Sequence, residues 1–180
     1  MKRTSGAEGG WSLVELLVVI SVLGIILAFF VPPIVSRITT HARVVSTQQE
    51  MNMLREAIMG NPDVLAANQY AATGFKNDVG RLPRHLAELA TNNPFEGIYT
   101  QVMYVGKETL ATWDPYLKKG WNGPYVREDG DIGYADDVWG VPYRYIVEAN
   151  ETLGLESAGP DGLFFGQPGS QTDDDIRVRF

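Results

Sequence analysis

The stretch GGWSLVELLVVISVLGIILAFFVPP, residues Gly9 to Pro33, decides how this chain is read. From Leu16 to Ser36 it carries no charge. Coiled as a helix, such a run crosses a hydrocarbon core of about 30 Å. Lys2 and Arg3 precede it and set the front end toward the cytoplasm. A cleaved signal peptide fits poorly, because the apolar run is too long and no small-x-small site follows it.

Glu15 is the anomaly at the start of this run. A carboxylate at membrane depth costs roughly 2.5–3.5 kcal/mol on insertion scales, so it calls for a partner. No basic residue lies between Glu15 and Arg37. A cut between Gly10 and Trp11 would create an α-amine four residues before Glu15, able to neutralise a carboxylate in its own chain or a neighbour's. The alternative is an interfacial glutamate that reaches up to the headgroups.

The remainder bounds the class. The chain has 180 residues, a net charge of −7 and no cysteine. The acidic balance argues against nucleic-acid binding. Without cysteine there is neither a disulfide staple nor a thiolate metal site. The helix is expected to run from Ser12 to Met59, roughly 70 Å at 1.5 Å per residue. Pro32–Pro33 is expected to kink or break it by removing backbone donors. Val44, Met51, Leu54 and Ile58 form its apolar stripe.

Asn61 as cap and Pro62 at the first turn predict a second helix, with Leu65, Ala72, Phe75 and Val79 on one face and Gly80 as its end. RLPRHLAELA predicts a short third helix from about Pro83, with His85 on the surface. Residues 92–120 read as a loop with a short helix around Glu108 to Leu117. VPYRYIVEA alternates, so Tyr143 to Val147 reads as a strand. Asn150-Glu151 is its turn, and Leu153 to Ser157 the returning partner. The economical fold is α+β: a long N-terminal helix, transmembrane then amphipathic, with a small head of helices and a short antiparallel sheet.

A basic leader, Gly10, an aromatic at Trp11 and a glutamate as the fifth residue of a long apolar helix resemble the class III signal of type IV pilins and pseudopilins. Trp11 departs from the usual phenylalanine. Gly24 and Pro32 stand where that family commonly carries a helix-loosening glycine and proline. FKNDVGRLP, GWNGPYV, DVWGVPYRYI and SAGPDG…DDDI follow in order, and together they resemble the major pseudopilin of type II secretion. Val138 and Val141 depart from its more usual Pro and Asn, and 92–119 is longer than in a minimal member. The resemblance implies a type IV pilin-like fold with three parts: a leader at 1–10 cleaved after Gly10 by a prepilin peptidase, a transmembrane and polymerisation helix at 11–36, and a periplasmic head at 37–180. It implies N-methylation at Trp11 and pairing of Glu15 with the amine of an adjacent subunit. The implied partners are further copies of the chain, minor pseudopilins, and an inner-membrane platform protein with its assembly ATPase.

The tail holds Asp161 and then Asp173, Asp174 and Asp175, in a loop rich in Gly and Pro. Adjacent acids repel unless solvent or a cation screens them. Calcium takes six to eight oxygens from carboxylates and carbonyls on such loops. Composition alone is weak evidence for a site, because acidic tails are usually just solvated. The resemblance implies a structural calcium site here, with Asp161 and Asp175 as ligands and Asp173 and Asp174 competing for a third place. Asp129, Asp131, Asp136 and Asp137 lack EF-hand spacing and read as a solvated loop.

The leading function is therefore structural: a subunit of a secretion pseudopilus anchored in the bacterial inner membrane. A surface type IV pilin for adhesion, motility or DNA uptake is the alternative within the superfamily. A membrane-anchored enzyme is the alternative outside it. The sequence offers it no Ser-His-Asp set and no phosphate loop, and HLAEL lacks the second histidine of a zinc-protease helix.

Overall fold

The computed structural model describes residues 11–66, 69–72, 74–101, 107–127, 132–149, 151–170 and 173–180. Within these, it describes the side chains of all but 29–37, 62–66, 69–72, 100 and 101. The chain divides into two units, Met1–His41 and Ala42–Phe180. Helix α1, Leu13–Met59, contributes residues to both.

In the first unit, α1 continues through Pro32 and Pro33 without the expected break. Its described apolar side chains are exposed: Leu13, Leu16, Val18, Ile20, Leu23, Ile25 and Leu27 all face solvent. Among the described residues, no helix is long and apolar enough to cross a membrane. The uncharged run continues past Ala28 into 29–36, whose side chains lie outside the described set.

In the second unit, the C-terminal part of α1 supplies one wall of the core. Met51, Leu54 and Ile58 are buried against Phe75, Leu86, Leu89, Leu110, Tyr143, Leu155 and Val178. The 3-and-4 spacing puts these α1 residues on one face, so the helix has a dry side and a wet one. Val44, the fourth member of the expected stripe, is half-buried.

The expected second helix is not formed. Strands β1, Asn61–Ala66, and β2, Gln69–Ala72, pair antiparallel instead, with Asn61 opposite Ala72. A short helix α2, Gly74–Val79, follows and buries Phe75 and Asp78. The reason lies in Gly74. It has φ +71°, and a Cβ there would fall 2.1 Å from the Gly60 nitrogen. The backbone must return to the end of α1 at that point. A helix running on from Pro62 would have carried Gly74 roughly 18 Å away; a hairpin brings it back. The expected pairing of helix faces through Leu65 and Ala72 involves side chains outside the described set.

The third helix shrinks to a single 3-10 turn, Leu86–Leu89. It is held by Glu88, which is fully buried and receives both ends of the Arg81 guanidinium at 2.8 and 3.2 Å and the Arg84 amide at 3.1 Å. No helix forms at Glu108 to Leu117. The chain turns at 115–118 instead, because Asp114 Oδ1 accepts the amides of Tyr116 and Leu117 at 2.8 and 3.1 Å. Asp and Asn side chains favour such turns over helix interiors.

GWNGPY then packs over this region. Trp121 Nε1 donates to the Glu88 carbonyl at 2.7 Å, and the Tyr125 hydroxyl donates to Asp78 Oδ2 at 2.9 Å. The Phe75 and Tyr125 rings meet edge to face with centroids 5.6 Å apart.

The sheet is three-stranded and antiparallel, in the order β3, Arg144–Glu148; β4, Glu151–Ser157; β5, Ile176–Arg179. The β3–β4 hairpin lies close to where alternation put it; β5 was not foreseen. Tyr145, Leu155 and Val178 stand opposite one another on the core face. Arg144, Glu156 and Arg177 form the next row, one residue along each strand and therefore on the other face. Helix α1 holds the sheet through Arg55 Nε, which donates to the Arg179 carbonyl at 2.9 Å. The Tyr143 hydroxyl donates to Glu50 Oε2 at 3.2 Å.

Burial raises the phenols of Tyr125, Tyr143 and Tyr145 above the ordinary value of 10.0, and the nearby Glu50 carboxylate adds to the effect on Tyr143. A pKa raised on folding supports stability that is complete below the unfolded value and lost as pH rises through the folded one. The head should therefore lose structure in alkali above about pH 10, as followed by circular dichroism. Tyr143→Phe should lower stability at neutral pH by about 0.5–1.5 kcal/mol, for the lost hydrogen bond, yet make the alkaline loss shallower. An unchanged alkaline profile would contradict the assignment.

Candidate functional site

Two features carry the functional reading, one in each unit. The first is the start of α1. Trp11 is 69% exposed, and Glu15 lies exposed in the first helical turn. Among the described residues, no ion pair involves Glu15. Gly24 is exposed within α1, and a Cβ there would touch nothing. Gly10 lies outside the described residues, as does the Pro32 side chain.

The second feature is the tail, and it is built from the end of β4. The Ser157 hydroxyl is buried and donates to Asp137 Oδ2 at 2.6 Å. It accepts the Gly159 amide at 3.1 Å. Gly159, with φ +69°, lies against the chain at Asp174: a Cβ there would fall 2.4 Å from the Asp174 carbonyl oxygen. SAGPDG and DDDI, distant in sequence, are thus brought into backbone contact.

The four aspartates do not share one ligand position. Asp161 is exposed, and its Oδ1 accepts the Leu163 amide at 2.7 Å. Asp173 pairs with the Arg177 guanidinium at 2.8 and 3.1 Å. Asp174 and Asp175 face inward, and each has one buried carboxylate oxygen, Oδ1, with no hydrogen-bond partner. Asp175 Oδ2 accepts the Phe165 amide and Arg177 Nη2, both at 3.0 Å.

Among the described residues, no three His, Asp or Glu side chains form a group able to hold a metal ion. The fit to calcium therefore rests on Asp174 and Asp175. Their bare, buried oxygens are the donors such an ion uses, completed by backbone carbonyls. A buried polar atom without a partner otherwise costs about 1–3 kcal/mol.

Glu156, 6% exposed, anchors this region from the sheet. Arg144 Nε and Arg177 Nε each donate to one of its oxygens, both at 2.7 Å. Burial acts to raise its pKa, but the two guanidinium hydrogen bonds outweigh that and hold the carboxyl below its usual range. Asp175 moves the other way. Burial pushes its carboxyl up and the Glu156 carboxylate beside it adds to the shift, against the Phe165 amide.

Glu156, Arg144, Arg177 and Ser157 were not singled out in the sequence. The available signal was weak: Glu156 alternates with Leu155 on the strand's non-core face, where a solvated charge is the ordinary expectation. Asp137 corrects the solvated-loop reading. It is 5% exposed, and its Oδ1 accepts the amides of Trp139 and Val141 at 3.0 and 2.9 Å. Asp129 and Asp131 lie outside the described residues. His85 is half-buried and lines a cavity of about 310 Å³ beside Asp136 and Tyr143, while His41 is exposed.

The chain matches no family model, no curated protein and no solved structure.

Gly159→Ala tests whether this contact holds the tail. It combines a left-handed backbone with a clash against Asp174 and should cost about 2 kcal/mol or more in urea unfolding. Gly166→Ala has φ +87° but open space around its Cβ, so it should cost only the conformational part, about 1–2 kcal/mol. Equal losses would mean that the Gly159–Asp174 contact carries no weight.

Proposed function

We propose that this protein is a structural subunit of a filament of the type IV pilin-like superfamily, most closely resembling the major pseudopilin of type II secretion. The observation that carries the reading is the surface of α1 in the first unit. Apolar side chains from Leu13 to Leu27 are exposed around the helix, interrupted by one carboxylate, Glu15. A helix apolar on all sides calls for burial in lipid or among other helices.

Magnitudes decide what Glu15 needs. Its place in the first turn favours it through the helix dipole by about 0.3–1 kcal/mol. That falls short of the roughly 2.5–3.5 kcal/mol for a carboxylate at membrane depth. A cationic partner closes the difference, and a cut after Gly10 by a prepilin peptidase supplies one. In this reading the α-amine of Trp11 in one subunit pairs with Glu15 of the next. The paired charges set the register, and the apolar helices bundle into a pseudopilus spanning from the bacterial inner membrane into the periplasm. Minor pseudopilins, a platform protein and an assembly ATPase are the partners this requires. Filament growth then moves folded proteins toward an outer-membrane channel.

Asp174 and Asp175 would hold a calcium ion in the head, which supplies a structural crosslink between the tail and the sheet. The residues around it have their own task. Ser157 and Gly159 seat the tail against β4, and Glu156 fixes both arginines beside it. A chain without cysteine has no disulfide to do this.

Glu15→Ala should be cleaved and inserted normally, because neither step needs the carboxylate. It should then be missing from filaments sheared from cells and viewed by electron microscopy. Normal polymerisation of the variant would overturn the pairing.

A further inference from the structure

Arg177 stands where the tail enters β5, and its guanidinium is spent almost wholly on carboxylates. Nε donates to Glu156 Oε1 at 2.7 Å, Nη1 to Asp173 Oδ2 at 3.1 Å, and Nη2 to Asp173 Oδ1 and Asp175 Oδ2 at 2.8 and 3.0 Å. Arg144 takes the other oxygen of Glu156 and lies over the Phe164 ring, 3.8 Å from its centroid. Glu156 is thus shared between two arginines, and part of the Arg177 charge is turned toward the tail. The Asp175 side chain has no exposed surface (0%). One of its oxygens is held by Arg177; the other, with Asp174 Oδ1, is buried without a partner.

We propose that Arg177 is a built-in counter-cation for the tail, competing with calcium for Asp175 and so setting how strongly the head depends on the metal. This rests on the calcium reading above. The physical argument concerns two cations at one carboxylate. A divalent ion on the free oxygen of Asp175 lies a few ångströms from a guanidinium on the other, and the two repel. Arg177 therefore weakens calcium binding. In exchange, its fork to Asp173 and Asp175 keeps the tail docked on β5 when calcium is scarce, a geometry suited to paired carboxylates. The head then holds its form across a range of calcium concentrations rather than unfolding when the ion leaves.

A residue that merely braces the fold makes the opposite prediction for affinity. Removing a brace loosens the site and weakens binding; removing a competitor tightens it.

The test uses the full chain in detergent micelles, as wild type, Arg177→Gln and Arg177→Lys. Calcium is titrated by calorimetry with magnesium as the control ion, and each protein is melted in chelator and in calcium. Arg177→Gln should bind calcium roughly tenfold or more tightly than wild type. It should melt below wild type in chelator, and so gain more from the ion. Arg177→Lys keeps the charge but loses the fork; it should fall between the two, and it decides the matter should Arg177→Gln not fold in chelator. Equal or weaker calcium binding in the variants, with wild type binding normally, would overturn the role of Arg177 alone. Calcium binding by none of the three would overturn the metal reading itself, and this inference with it.

Discussion

The hydrogen bond from Ser157 to Asp137 is the joint on which the head turns. It is short, at 2.6 Å, and buried at both ends. Asp137 gathers the turn that leads into β3, by accepting the amides of Trp139 and Val141. Ser157 ends β4 and receives the Gly159 amide, which places the tail loop against Asp174. One hydroxyl thus ties the entry to the sheet, its central strand and the C-terminal tail. Charge-assisted bonds of this kind are among the stronger ones in a protein interior. The neighbouring residue, Glu156, extends the same joint to Arg144 and Arg177 across both flanking strands.

The segments that stood out in the sequence gain a physical meaning from this arrangement. FKNDVG places Phe75 and Asp78 beneath GWNGPY, whose Trp121 and Tyr125 close over them. DVWGVPY supplies Asp137, and Tyr143 reaches Glu50 on α1. SAGPDG and DDDI meet at Gly159 and Asp174. Their polar residues are spent on holding the backbone, which is how a small head with no disulfide secures its loops. Nearly all of them are satisfied; the exceptions include the inward oxygens of Asp174 and Asp175.

What was legible in the sequence follows from the range of the forces involved. The stripe of Met51, Leu54 and Ile58 and the alternation of the β3–β4 hairpin are local periodicities, and both reappear as buried faces. The stretch from Asn61 to Gly74 misled because its capping pattern suits a helix, whereas its end point is dictated by packing of Gly74 on Gly60. Strand β5 escaped notice because its four residues alternate charge with short apolar groups and acquire meaning only beside β4. For the tail, composition drew attention to the acids but did not give their directions. Asp161 turns to its own loop, Asp173 to Arg177, and only Asp174 and Asp175 turn inward. Which carboxylate faces where depends on partners in β4 and β5, and spacing does not encode them.

The proposed assembly would give a place to the apolar side chains exposed on α1 in the first unit, and a partner to the one carboxylate among them, Glu15. The most direct test removes this chain alone from its cell and compares secreted proteins and surface filaments with the parent. Exported proteins accumulating in the periplasm, with surface pili intact, is the expected result. Intact secretion with loss of surface pili would contradict it and place the protein among the pilins.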